Sequence, residues 1–285
     1  MDKIIYLDGA VGSELILKGE ILPPHIWSAN VNLTNPNLLL EIHREYIESG
    51  ADCITTNTFR TTPRAYRKTG LSRSEAKRMA KESMGAAISI ANSAAGNSVR
   101  VLGSIAPLED CYCPELFPGS SVAKNEFSTI ARWFNESDVD GYILETMNNI
   151  LETEICLEAI DSSNRPTWVS FNLLDSHRIQ SGEKLEDAIS MLNNYNIECF
   201  LLNCNSLERT RQALEISSKR CQRWGIYPNL GMGEPSPDGV ITEYSPDREF
   251  ISLCKAAVDL GASVVGGCCG TSPRHIKLLV EKLNL

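Results

Sequence analysis

The chain has 285 residues, 42% hydrophobic and 22% charged. That is the make-up of a soluble globule with material for a full core, and it excludes collagen-like, low-complexity and disordered architectures. With 27 Lys+Arg against 36 Asp+Glu, the net charge of −9 argues against nucleic acid or an anionic membrane as a partner.

The first apolar run, residues 3–8, reads as a buried strand; it has only four apolar residues before Asp8, too few for a secretion signal. No stretch approaches the ~20 apolar residues of a membrane span. The reading is a cytoplasmic chain whose thiols stay reduced. A helix follows over 36–49, with Asn35 as N-cap, Pro36 at the first helical position and Leu39, Ile42, His43, Tyr46 and Ile47 on one face, ended by Gly50. The alternation then repeats. Strands at 53–57, 99–105, 142–145, 168–172, 199–203, 226–229 and 263–267 are each followed by a helical pattern, at 72–95, 122–135, 150–163, 185–194, 207–224, 246–260 and 273–283. Continuous apolar strands between helices mean a parallel sheet covered on its faces, and eight such units favour a closed (β/α)8 barrel of the TIM type. Long strand-to-helix loops at 18–33, 107–121, 173–184 and 230–245 lie on the side where such barrels keep their active sites, and they read either as lids or as tolerated insertions.

Polar residues collect at the strand ends: Asp8, Asn57, Glu145, Asn172, Cys204, Asn229 and the pair Cys268-Cys269. In a barrel all would face one cavity. Three of the ten cysteines are among them, and three thiolates form a donor set for zinc that leaves a fourth tetrahedral position open. On spacing alone two other readings stand beside it: a strand end with a coincidental Cys-Cys pair, and a strained, redox-active vicinal bond. Gly9-x-x-Gly12 and Gly231-x-Gly233 are neither a dinucleotide fingerprint nor a P-loop. The four histidines have no metal spacing, and His43 reads as a satisfied core or rim residue. Cys111 and Cys113, in the loop after the third strand, read as thiols that approach the rim or as two unpaired loop thiols, and Cys53, Cys156, Cys199, Cys221 and Cys254 as small hydrophobes. The cluster Arg60, Arg64, Arg67 and Lys68 reads as a solvated face. Trp27 reads as a pocket wall or as packing, and Asn229 as a ligand-orienting group or a strand cap.

The segments Asp8-Gly9-Ala10-Val11-Gly12-Ser13-Glu14-Leu15, Thr56-Asn57-Thr58-Phe59, Gly103-Ser104-Ile105-Ala106-Pro107, Glu145-Thr146, Asn203-Cys204, Tyr227-Pro228-Asn229 and Gly266-Gly267-Cys268-Cys269-Gly270-Thr271 together resemble the homocysteine S-methyltransferase family, nearly end to end. The resemblance implies one homocysteine-binding barrel over 1–285, Zn2+ held by Cys204, Cys268 and Cys269, and Asp8 and Glu145 on the substrate amino group. It also implies that Ser104 and its neighbours offer backbone N–H groups to the substrate carboxylate. A free thiol of pKa about 8.5 is only a few per cent thiolate at neutral pH, and zinc coordination would deprotonate it. A sulfonium or quaternary ammonium donor loses its charge as the methyl leaves, so no general acid is required.

Family members take the methyl group from S-methylmethionine, S-adenosylmethionine, betaine or a methyl-corrinoid. Length and the Tyr-Pro-Asn segment look most like the S-methylmethionine-type branch, so that compound or S-adenosylmethionine is the expected donor. The run 231–235 departs from the Asn-Ser-Gly-Glu expected there. The Thr56–Phe59 segment also resembles the homocysteine module of cobalamin-dependent methionine synthases, which leaves a corrinoid protein acting in trans open. Another thiol or selenol as acceptor, and a non-catalytic metal- or thiol-binding barrel, stay open as well.

Overall fold

The computed structural model describes residues 3–232 and 239–283. The run 231–235 therefore lies largely outside the described residues. β1 (Ile5–Tyr6) leads into α1 (Val11–Leu17), α2 (Val31–Thr34) and α3 (Pro36–Glu48), and β2 (Cys53–Thr55) into α4 (Pro63–Arg67) and α5 (Arg73–Ala95). Next come β3 (Arg100–Ile105) with α6 (Ser120–Asn135), β4 (Gly141–Met147) with α7 (Ile150–Ile160) and β5 (Thr167–Phe171) with α8 (Leu185–Leu192). The last units are β6 (Cys199–Asn203) with α9 (Leu207–Arg220), β7 (Trp224–Tyr227) with α10 (Asp247–Asp259) and β8 (Val264–Val265) with α11 (Pro273–Leu283). All eight strands are parallel, in the order β1-β8-β7-β6-β5-β4-β3-β2. A parallel bridge between Leu7 and Cys53 closes the ring, flanked by Asp8 N–H to Cys53 O at 3.0 Å and Asp52 N–H to Tyr6 O at 2.8 Å. The architecture is the expected TIM-type barrel.

The two-residue period of the strands divides the core. Leu7, Cys53, Leu102, Ile143, Trp168, Cys199, Leu201, Tyr227 and Val264 point inward and fill the barrel, while Val101, Tyr142, Leu144, Val169, Phe171, Phe200 and Ile226 point outward and pack under the helices. Two residues further along β3, β4, β5 and β6, the inward positions turn polar: Ser104, Glu145, Ser170 and Asn203. The apolar plug thus stops where the polar cavity begins. Side-chain caps fix several helix starts, among them Asn35 on Leu38 N–H, the Ser72–Glu75 capping box and Asn149 on Glu152 N–H. Among the described residues no helix is long and apolar enough to cross a membrane.

Three expectations change. Helical spacing over 207–224 overruns the element: α9 stops at Arg220, Cys221 is extended, and Trp224 instead opens β7 in register with Phe200. Pairing with β6 overrides the local periodicity. The loop 18–33 is partly helical, through a short 3-10 turn at Trp27–Asn30 and the start of α2. The basic cluster is a solvated face only in part: Arg67 and Lys68 are exposed, while Arg60 and Arg64 are half-buried against the loop after β3. Arg60 donates to the carbonyls of Pro107 (3.1 Å) and Glu109 (2.8 Å), and Arg64 and Lys68 both pair with the Glu109 carboxylate. These contacts fasten the loop between β3 and α6.

Candidate active site

Two turns deliver the rim cysteines. Cys204 follows β6 with φ 56, a left-handed conformation that an L-residue holds only where the surroundings enforce it. Asn205 enforces it from one side, its Oδ1 accepting Leu173 N–H at 2.7 Å and its carbonyl accepting Asn229 N–H at 2.8 Å. On the other side Asn203 bridges to β4: its Oδ1 accepts Thr146 N–H (3.0 Å) and Ser170 Oγ (2.5 Å), and its Nδ2 donates to Thr146 Oγ1 (2.9 Å). Thr146, next to Glu145, is itself left-handed at φ 58. The second turn carries Cys268 and Cys269. The Cys268 carbonyl accepts Thr271 Oγ1 at 2.7 Å and Thr271 N–H at 3.0 Å, and Ser13 Oγ accepts Gly270 N–H at 3.0 Å. A Cβ on Gly267 would stand 2.4 Å from Thr271 Oγ1, so only glycine leaves that hydroxyl its place.

The outcome is a compact thiol cluster. Cys268 Sγ lies 3.3 Å and Cys269 Sγ 3.7 Å from Cys204 Sγ, and all three sulfurs fall within 4.8 Å of one another. Zinc–sulfur bonds of about 2.3 Å at tetrahedral angles set sulfurs about 3.8 Å apart, so the cluster fits such an ion in both spacing and donor chemistry. Without a cation, three thiols this close cannot all ionise. Cys269, hydrogen-bonded by Cys204 and Cys268, is held well below the usual thiol range; Cys268 is held up by its hydrogen bonds to Cys204 and Cys269 and by burial. None of the ten cysteines is bridged.

Two carboxylates share this cavity. Asp8 is buried, and its Oδ2 accepts Thr55 N–H at 2.7 Å and Thr55 Oγ1 at 3.1 Å. Burial pushes Asp8 well above the carboxylate range against those hydrogen bonds, and Glu145 repels it further. Burial likewise raises Glu145 to about 7, although it accepts the Ser104 hydroxyl. Neither acid has a lysine or arginine partner among the described residues. One buried and one half-buried acid lacking a cation suit an incoming ammonium. Ser104, by contrast, has no backbone N–H to offer: it donates to Thr56 Oγ1 at 3.0 Å, and the Ser104 carbonyl accepts Thr58 Oγ1 at 2.7 Å. The hydroxyl on Glu145 is its contribution.

Residues 5–283 match the homocysteine S-methyltransferase family model. The chain belongs to that family. As a member it is a methyltransferase. It is 28% identical to the homocysteine S-methyltransferase of Escherichia coli, over 97% of this chain and 94% of that one. It is also 26% identical to the selenocysteine methyltransferase of Astragalus bisulcatus, over 97% and 91%. The metallated form of the homocysteine methyltransferase MmuM from Escherichia coli superposes with a TM-score of 0.84 at 26% identity, over 99% of this chain and 96% of that one.

The remaining residues of this methyltransferase site divide into those anticipated and those not. Trp27, left-handed at φ 48, sits between two glycines: a Cβ on Gly12 would lie 2.7 Å from its Nε1, and one on Gly239 1.9 Å from its Cη2. Asn57 does not face the cavity freely; its Nδ2 donates to Ser28 O (2.9 Å) and Asn32 Oδ1 (2.8 Å) and so anchors the segment carrying Trp27. Asn229, between the two cysteine turns, has a buried Oδ1 without a partner. Tyr227 was not singled out by the sequence for chemistry. Its Oη is buried beside the Ser170 hydroxyl. Tyr112 was missed too: it lies between the supposedly idle Cys111 and Cys113, and its Oη donates to Cys204 Sγ at 3.2 Å. Burial and the nearby sulfurs keep that phenol protonated. His43 is buried with neither ring nitrogen partnered, not satisfied, and burial lowers it to about 4, so it stays neutral.

Proposed function

We propose that residues 1–285 act as one homocysteine-binding barrel that moves a methyl group from a small cationic donor, S-methylmethionine or S-adenosylmethionine, to homocysteine, forming methionine. The observation that carries this reading is three sulfurs within 4.8 Å of one another beside the buried Asp8 and the half-buried Glu145, neither with a cationic partner among the described residues. Cys204, Cys268 and Cys269 would hold Zn2+, which when bound keeps the acceptor sulfur as a thiolate at neutral pH. Asp8 and Glu145 would take the amino group of homocysteine through charge-assisted hydrogen bonds, fixing the acceptor's orientation. Trp27, wedged between Gly12 and Gly239, would wall the donor side, and Asn229 Oδ1 would orient a bound ligand. Acids and thiolates together favour a donor whose positive charge vanishes as the methyl group leaves. Thiols kept reduced for this work suit the cytoplasm.

Metal analysis and turnover test the reading. Protein purified under reducing conditions should carry about one zinc per chain, lost in Cys204→Ala and Cys268→Ala, and should form methionine from homocysteine with at least one sulfonium donor. Protein free of metal, or inactive with every small donor, contradicts it; turnover restored only by an added methyl-corrinoid protein would assign the donor differently. A second acceptor merits the same assay. The likeness to the Astragalus selenocysteine methyltransferase favours trying a selenol, which the same acids would hold by its amino group.

A further inference from the structure

We infer that Tyr112 is a positioning residue for the thiol cluster: its phenol keeps a hydrogen bond on the Cys204 sulfur and thereby sets how much charge that sulfur gives to a bound metal. The inference rests on the metal reading above. Cys204 is the one sulfur of the three with a hydroxyl donor among the described residues, at 3.2 Å. Both partners are held. The Cys204 backbone is locked in its left-handed turn by Asn203 and Asn205.

Tyr112 is held at least as firmly, although it lies on a loop. The carbonyl before it, on Cys111, accepts Asn148 Nδ2 at 3.2 Å and Asn172 Nδ2 at 2.9 Å, so the ends of β4 and β5 both grip it. Its own carbonyl accepts Gln180 Nε2 at 3.3 Å and its N–H donates to Asp110 Oδ1 at 2.9 Å. The preceding residues are clamped by Arg60 and Arg64, and by Leu108 N–H donating to Glu152 Oε1 at 2.8 Å. A loop that merely connects β3 to α6 needs none of this, and ordering it costs backbone entropy. The pinning delivers one atom, Tyr112 Oη, to one sulfur.

A donor on a thiolate orients it and draws charge from it. Partners of this kind commonly alter metal affinity 10–100-fold when removed. The arrangement makes the donor set unequal, with Cys204 damped and Cys268 and Cys269 not.

The test is Tyr112→Phe, which removes the hydroxyl and keeps the ring. Zinc affinity, measured by chelator competition near neutral pH, should weaken by about tenfold, because the Cys204 sulfur loses the partner that holds it in place. With cobalt(II) in place of zinc, the sulfur-to-metal charge-transfer band should move to longer wavelength, because an uncapped sulfur gives up charge more readily. Asp110→Ala, which loosens the tyrosine without touching the phenol, should produce the same changes at smaller size, and it decides the matter if Tyr112→Phe does not fold. Wild-type affinity and an unchanged cobalt spectrum in the folded variant overturn the inference alone. A wild-type chain that takes up neither metal overturns the metal reading and this inference with it.

Discussion

Glu145 concentrates the chemistry of the site at the scale of one residue. Burial raises its carboxyl to about 7 from an ordinary 4.5, so the native protein holds a proton there that the unfolded chain has released. Between those two values native stability falls as pH rises, and above about 7 the whole penalty is present. A shift of this size corresponds to up to about 3 kcal/mol for a partly buried group. Metal-free Glu145→Gln should therefore unfold at higher denaturant than the wild type at pH 8 and near the same denaturant at pH 4, measured by urea titration. The same proton opposes the proposed substrate. Below pH 7 a protonated Glu145 meets the ammonium without charge, so KM for homocysteine should climb several-fold toward pH 6 in the wild type. In Glu145→Gln it should be high and flat. A variant that lost stability at pH 8 and kept a low KM would remove Glu145 from the amino-group role.

At the scale of elements, the turns after β6 and β8 matter more than the strands. Gly267 shows why, since a Cβ there would stand 2.4 Å from Thr271 Oγ1 and the displaced hydroxyl would release the Cys268 carbonyl. Gly267→Ala should cost about 1–3 kcal/mol of stability and, more tellingly, loosen zinc by much more than that loss accounts for. Calorimetry with and without the metal separates the two effects. The strands themselves were legible because a run such as 199–203 is buried on both faces and reads as unbroken apolar sequence. The helices were legible where caps and period agree, as at Asn35 and Pro36. The 3.6-residue pattern misled at 221–224, where pairing with β6 claims residues that also fit a helix face. Cys204, Cys268 and Cys269 could be picked out as cysteines at strand ends, the last two after paired glycines, and the family resemblance joined them into one ligand set. Tyr112 could not: its importance lies in a contact spanning 92 residues, which no local spacing encodes.

The whole molecule supplies what neither scale can. Cys204 and Cys268 are 64 residues apart in the chain, Asp8 comes from the first strand, and ring closure between β1 and β2 is what brings all of them to one mouth. An unfolded chain offers scattered thiols; the native barrel offers three together. Metal binding should thus be linked to global folding, since a ligand that prefers the native state stabilises it by RT ln(1 + [L]/Kd), or about 2.7 kcal/mol at a hundredfold excess over Kd. For a chain of this length that is a rise in Tm of roughly 5 °C. Scanning calorimetry should show that rise when zinc is restored to chelator-treated wild type, and almost none in Cys268→Ala, whose two remaining thiolates make a poor site. The converse result would also be informative. If Cys268→Ala gained as much as the wild type, the stabilising ion would be sitting elsewhere, and the three sulfurs at the rim would have lost their claim to it.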